Sequence, residues 1–341
     1  MKKLALAALA ALATLTPGGA IAQGSVNLFG TADVYIGTAK SGSQTIKRMA
    51  EGGLAASRLG FRGSEDLGGG LRANFLLEGG IALDTGAGTL PGPGFAFTRQ
   101  ALVGLSGQWG SVDLGRMYTP MFYTLFRADP FGLNAVFSPV NLVSATDAQA
   151  SLSPFAARAS NMLRYRTPSA LPWFADVAVA AGEGALPKVY GATGGWMQGP
   201  LYLAYGVQKS EFGAARTTYQ AVTGSYDFKL AKLAAHYIRN TSSLATVPVA
   251  SLVGLSASVP VAEVSQLMFG LTRREVRGSA RSQLAWTLGY DYHLSKRTAL
   301  YGRALTLDNR STASATLAQV PVVANSGDGV RVLAVGVRHN F

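Results

Sequence analysis

The stretch from Ser57 to Glu78, SRLGFRGSEDLGGGLRANFLLE, leaves few folds open to this chain. Leu59 and Phe61 alternate with Arg58, Gly60, Arg62 and Ser64. After a Gly-rich turn, Leu71, Ala73, Phe75 and Leu77 alternate with Arg72, Asn74 and Glu78. A period of two means a β-hairpin with one apolar and one charged face. A soluble sandwich would bury the apolar face against a second sheet and send the charges to bulk water. A membrane barrel reverses the sense, with lipid outside and the charges lining a wet lumen. The hairpin fits both, and the ends of the chain separate them.

The first residues, MKKLALAALAALATLTPGGAIA, set two lysines before an uncharged run from Leu4 to Leu15, then Pro17-Gly18-Gly19 and the small-residue motif Ala20-Ile21-Ala22. This reads as a secretory signal peptide over residues 1–22, cleaved between Ala22 and Gln23. A membrane anchor would need roughly 20 apolar residues without that interruption. The domain to be folded is then 23–341. It has no cysteine, so an exported chain of this kind gains stability from an extended hydrogen-bonded structure rather than from disulfides. Without Lys2 and Lys3, 28 Lys and Arg stand against 18 Asp and Glu, a net charge of +10. That excess is spread singly through alternating strands with no basic run, which points to small anions and away from nucleic acid.

At the other end, GVRVLAVGVRHNF puts Leu333, Val335, Val337 and His339 on one face of a strand and Val332, Ala334, Gly336 and Arg338 on the other. A closing aromatic, Phe341, preceded by apolar residues at every second position resembles the signal read by the barrel-assembly machinery of outer membranes, and it sets an aromatic at the interface. His339 departs from a fully apolar version of that pattern.

Between the ends the pattern predicts strands over 25–38, 54–66, 71–83, 96–107, 111–118, 160–167, 173–182, 188–197, 201–209, 216–227, 230–240, 246–260, 263–273, 282–293, 298–308 and 330–341, sixteen in all. Connections such as Asp66–Gly70, Gln108–Gly110 and Gln198–Pro200 are tight, whereas 39–53, 84–95, 119–159 and 309–329 are long. Short turns on one side and long loops on the other are the habit of outer-membrane barrels. The expected fold is all-β, a 16-stranded antiparallel transmembrane β-barrel. Leu244 to Ala262 is uncharged but carries Pro248 and Pro260 and is rich in Val, Thr and Ser, so it reads as strand rather than membrane helix. Aromatics including Phe29, Tyr35, Trp109, Tyr118, Trp173, Trp196 and Tyr237 fall near strand ends, as interfacial girdles require.

By the motifs GSVNLFGTADVYIG, SRLGFRGSEDLGGGLRANFLLE, TRQALVGLSGQWGSVDLGRMYTP, NMLRYRTP, LGYDYHLSKRTALYG and VGVRHNF, the chain resembles the trimeric general porins of the neisserial type, found in β-proteobacterial outer membranes. The resemblance runs from end to end and is weaker over 183–262 and the loops. It implies a homotrimer in the outer membrane, a third loop folded into the lumen as a constriction, and passive diffusion of small hydrophilic solutes.

The longest connection, 119–159, contains Phe122, Phe126, Phe131, Phe137 and Phe155, too many aromatics for a disordered segment. It is expected to be the inward-folded third loop, with Arg127, Asp129, Asp147 and Arg158 as its charged members. Arg58, Arg62 and Arg72 point to the lumen by alternation, since cations on lipid would cost roughly 2–4 kcal/mol each near midplane. In resembling anion-selective members an arginine cluster marks the constriction, and motif matching places it here at Arg58, Arg99 and Arg158. Arg99 shares the parity of Ala101, Val103 and Leu105, so it reaches the lumen only through a bulge or from above the hydrocarbon, and Arg116 raises the same question of parity.

No cofactor, metal or catalytic role is expected. His236, His293 and His339 lack metal-ligand spacing, no HExxH, GxSxG or Walker-type motif occurs, and Gly68-Gly69-Gly70 is followed by no helix that could cradle phosphate. Two functions compete: a passive channel and a non-conducting anchor or receptor scaffold. Sixteen strands enclose an aqueous lumen where about eight are filled by side chains, and the expected pore prefers inorganic or organic anions.

Overall fold

The computed structural model describes residues 24–89, 94–144, 156–184, 186–317 and 319–341. Its strands form one antiparallel sheet that closes on itself. β1 (Ser25–Ser41) pairs on one side with β17 (Val330–Asn340), from Thr31↔Asn340 to Ser41↔Val330. On its other side β1 pairs end to end with two segments, β2 (Gln44–Glu51) and β3 (Arg58–Gly68). These two are one barrel strand interrupted at 52–57, so seventeen segments build a sixteen-stranded wall.

The expectation that 39–53 is a long loop is therefore corrected. Lys40 to Glu51 continues the alternation through a two-residue turn at Gly42-Ser43, with Gly42 at φ +53° where a side chain would be strained. The uncharged stretch at 244–262 is also later in starting: β13 is Ala250–Ala262, Pro248 lies before it, and Pro260 sits at a register shift near the following turn. Among the described residues no helix is long and apolar enough to cross a membrane.

The outer face follows the alternation. Val26 and Leu28 on β1, Val103 and Leu105 on β5 (Gln100–Gly107), and Leu333, Val335 and Val337 on β17 are all exposed, as a lipid-facing surface requires. Trp173 and Trp196 pair across β8 (Trp173–Ala180) and β9 (Lys188–Gln198) at the turn end. Three aromatics assigned to girdles face inward instead. Tyr35 packs edge-on to Phe137 of the third loop, Phe29 lies against the Arg62 guanidinium, and Tyr118 stacks on Phe122. Tyr35 and Phe29 have the parity of Thr31 and Asp33, which are buried in the lumen wall.

The hydrophobic core lies inside the barrel, and two loops supply half of it. Met121, Leu125, Val136, Phe137 and Leu142 of the third loop, with Leu317, Val320 and Val322 of the segment after β16 (Thr298–Arg310), pack on Ile238, Leu252, Leu305 and Val332 of the inner wall. The inward folding of 311–329 was not foreseen from the sequence. Arg48 ties it to the wall by donating to the Gln319 carbonyl (2.7 Å) and the Tyr35 hydroxyl (2.9 Å).

Candidate functional site

The third loop begins as a helix, α1 (Pro120–Phe126), because Thr119 caps it and Pro120 suits its first turn. Met121, Thr124 and Leu125 form its buried face. That face docks on the inner wall: the Thr124 and Thr193 hydroxyls are 2.8 Å apart, and Tyr202 donates to the Thr124 carbonyl (3.1 Å). Gly206 makes the approach possible, since a Cβ there would lie 3.1 Å from Thr124 Oγ1 and 3.3 Å from Met121 Cε.

The helix stops ahead of Pro130, whose ring disfavours helical backbone at Asp129. Asp129 then accepts from the Phe131 and Leu133 amides (3.0 and 2.7 Å) and the Ser138 hydroxyl (2.6 Å). Asn134 caps the next turn through the Val136 and Phe137 amides and donates to the Gly52 carbonyl on the opposite wall at 2.6 Å. The loop thus crosses the lumen and meets the interruption at 52–57. That interruption also projects inward, held by the Asp33 carboxylate. Asp33 accepts from the Gly53, Leu54 and Ala55 amides (3.1, 2.9 and 2.6 Å) and from the Tyr301 hydroxyl (2.5 Å).

Between loop and wall remains a cavity of about 590 Å³. Its charged lining is Arg58, Arg99, Arg158, Arg303 and Arg338 against Glu51, Glu78 and Asp291, five cations to three anions. Arg58 and Arg99 share Glu78: Arg58 Nε is 3.3 Å from Oε2 and Arg99 Nε is 2.8 Å from Oε1. Arg99 and Arg158 share the Tyr118 hydroxyl, Arg99 Nη2 donating at 2.8 Å and Arg158 Nη2 from the other side. The Arg158 guanidinium lies 4.1 Å from the Tyr118 ring centre. One carboxylate and one phenol hydroxyl hold three guanidinium groups together, which leaves a net charge of +2 within the linked group.

Arg58, Arg99 and Arg158 come together. The parity objection to Arg99 dissolves because β5 begins only at Gln100, and Arg99 turns back to Glu78. Arg116 stays apart: it pairs with Ala101 and donates to the Thr98 carbonyl (2.5 Å) and Ser160 Oγ (2.9 Å), next to a register shift between Gly115 and Met117. Arg62 has lumen parity, but its guanidinium rests 5.2 Å from the Phe29 ring centre, outside the cavity lining. Asp129 is buried in the loop's own turn, where desolvation pushes its carboxyl above the usual range against its three donors. Both of its oxygens are turned into the loop, and it is absent from the cavity lining. Asp147 and the Ala22–Gln23 junction lie outside the described residues. Of the terminal pattern, Phe341 exchanges backbone hydrogen bonds with Gly30 at 3.0 and 3.1 Å.

Sequence reasoning missed Glu78 and Tyr118 as members of the cluster, and the Arg303–Asp291 pair, whose Nη1–Oδ1 distance is 2.7 Å. Lumen parity could have found Glu78, since Gly60↔Glu78 and Arg58↔Gly80 put it beside Arg58. No signal distinguishes Tyr118 from a girdle tyrosine.

Comparison with known proteins places this architecture. The family model described as Gram-negative porin matches residues 5–312. The chain is 34% identical to outer membrane porin protein 32 of Delftia acidovorans, over the whole of both chains. It is 38% identical over 106 residues to the major outer membrane protein P.IB of Neisseria gonorrhoeae, covering 29% of each. Among solved structures it is similar to an anion-selective porin from Comamonas acidovorans, with TM-score 0.80 and 29% identity over 94% of this chain and all of the other. A closed barrel with lipid-facing outer residues, an internal loop that narrows its lumen and a family match over most of its length lead to one conclusion: this chain belongs to the Gram-negative porins, outer-membrane channels for solutes.

Proposed function

We propose that this porin selects for anions, and that Arg58, Arg99 and Arg158 are its filter. The reading is carried by the sharing of Glu78 and Tyr118, which binds three cations with one negative charge. A monovalent ion about 4 Å from one arginine gains roughly 1 kcal/mol in a water-like medium and several times that at an effective dielectric near 20. Two uncompensated charges therefore bias permeation about tenfold or more at low salt. The similar porin of Comamonas acidovorans is described as anion-selective, which supports the same preference here. Inorganic anions and small organic acids are the solutes this charge favours.

The test is the reversal potential across a salt gradient for the wild type and for Arg58→Ser/Arg158→Ser. Anion preference in the first, reduced in the second, is expected. A cation-selective wild type, or a double variant with unchanged potential, would place the filter elsewhere. We propose further that the chain works as a homotrimer among outer-membrane lipids, that residues 1–22 are removed between Ala22 and Gln23, and that the barrel-assembly machinery reads Leu333, Val335, Val337 and Phe341. N-terminal sequencing and chemical crosslinking of the membrane-extracted protein test cleavage and trimer.

A further inference from the structure

The outer wall carries a charged recess that a channel does not use. On β12 (Lys232–Ser242), β13 and β14 (Ser265–Val276) the outward positions are apolar from the turn end upward: Leu233, Leu255, Val253 and Phe269 are all exposed. Just above this band the character changes. Arg239 follows Tyr237 on β12, Arg273 follows Leu271 on β14, and Arg277 and Arg281 stand on the loop beyond. Together they line an outward-facing recess of about 660 Å³.

The register places the cations. Ser251 of β13 lies between Arg239 and Glu275, and Val253 lies beside Arg273. Arg239 and Arg273 therefore flank β13 two interstrand steps apart and two residues out of register, roughly 12 Å between backbones. Within the recess only Arg273 has an acidic partner, Glu275 at 2.7 Å, with both side chains 56% exposed. Arg281 Nε donates to Ser279 Oγ at 3.1 Å. Arg239, Arg277 and Arg281 make no ion pair among the described residues. Elsewhere on the same rim, Lys209 and Arg216 are both answered by Glu211, whereas this recess keeps a surplus of three charges.

We propose that the recess binds the phosphorylated headgroup of a lipid in the outer leaflet. The long-loop end of such a barrel faces the cell exterior, and the arginines stand one or two strand residues above the apolar band, at headgroup level. Arginine suits phosphate because its fork meets two oxygens at once. Val253 level with Arg273 and Leu255 below it, 57% and 59% exposed, offer the surface along which acyl chains lie. A free anion would use the arginines and ignore that surface.

The experiment uses the full folded chain in a non-ionic detergent, with bis-phosphorylated lipid A as probe and native mass spectrometry as readout. Wild type is expected to retain the probe, and Arg239→Gln/Arg273→Gln/Arg277→Gln/Arg281→Gln to bind it about tenfold more weakly or worse, as the loss of several charge-assisted bonds requires. The dephosphorylated lipid should bind wild type and variant alike and weakly. Conductance and reversal potential should not change in the variant, which also shows that it is folded. Equal retention by wild type and variant overturns the proposal. Displacement of the lipid by excess inorganic phosphate overturns the lipid assignment. An equal loss in Lys296→Gln/Arg297→Gln, at the turn end of the barrel, would mean that general positive charge accounts for the binding.

Discussion

Replacing Glu78 by Gln isolates the charge of the arginine cluster from its shape. Glu78 is 5% exposed and both of its oxygens are engaged, one by Arg58 at 3.3 Å and one by Arg99 at 2.8 Å. Gln keeps the length and one acceptor oxygen, so the linked group passes from +2 to +3 with little change of volume. For an ion about 6 Å from the carboxylate position, one unit charge is worth roughly 0.7 kcal/mol in a water-like medium and about 2.8 kcal/mol at a dielectric near 20. With screening, about 1–2 kcal/mol is the working range, or roughly five- to thirtyfold in the anion-to-cation permeability ratio. The assay is the reversal potential of single channels across a potassium chloride gradient, first at low and then at molar ionic strength. The variant should move further toward the anion limit, and the increment should shrink at high salt. The same change removes a charge partner from two crowded guanidiniums, so the barrel should also lose heat stability in detergent by about 1–3 kcal/mol. An unchanged or more cation-favouring potential in a folded Glu78→Gln channel would refute the reasoning, because the carboxylate would then lie off the ion path.

Tyr118→Phe removes the oxygen that holds Arg99 and Arg158 together; two charge-assisted bonds are lost, and open-channel current noise should rise while net selectivity keeps its sign. Asn134→Ala cuts the bond to Gly52 and uncaps the Val136 and Phe137 amides, so the third loop should become sensitive to protease at a cost of about 2–3 kcal/mol, with the barrel's heat stability unchanged. The raised carboxyl of Asp129 means that the folded loop holds a proton more tightly than the unfolded one. Its contribution is full below the ordinary aspartate value near 4 and is lost as pH rises through the shifted value. Loop proteolysis should therefore quicken from about pH 4 upward in wild type and stay flat in Asp129→Asn.

The wall was legible because its physics is local. Between water and lipid the side-chain period is two, and a misplaced arginine costs enough to fix the sense of every strand, which is why Arg58 and Arg62 could be assigned without a structure. The errors fall where that rule lapses. In the stretch 39–53, expected as a loop, Lys47, Arg48 and Glu51 look like solvent residues, although they extend a strand above the membrane. Arg99 and Arg116 have the same parity and opposite fates, because one precedes its strand and the other sits beside a bulge. Tyr118 carries no mark separating a girdle tyrosine from one that clamps arginines. The course of the third loop depends on lumen glycines such as Gly206 and on Asn134 reaching Gly52, pairings between residues far apart in the chain. The inward loop at 311–329 follows the same logic, its apolar residues having meaning only once the interior they fill exists.

The seam between β1 and β17 turns chain order into a check on completeness. Phe341 bonds to Gly30 through both its amide and its carbonyl, and its ring covers Gly30 so closely that a Cβ there would collide with Phe341 Cζ. Every other neighbouring pair in the wall can form as soon as two successive segments have emerged, but this one joins residues about 290 to 310 positions apart. A chain interrupted before β17 would bare two long strand edges, each a template for pairing with another copy. Such a fragment is destined for aggregation or proteolysis, so the cell is spared a half-built hole in its outer membrane.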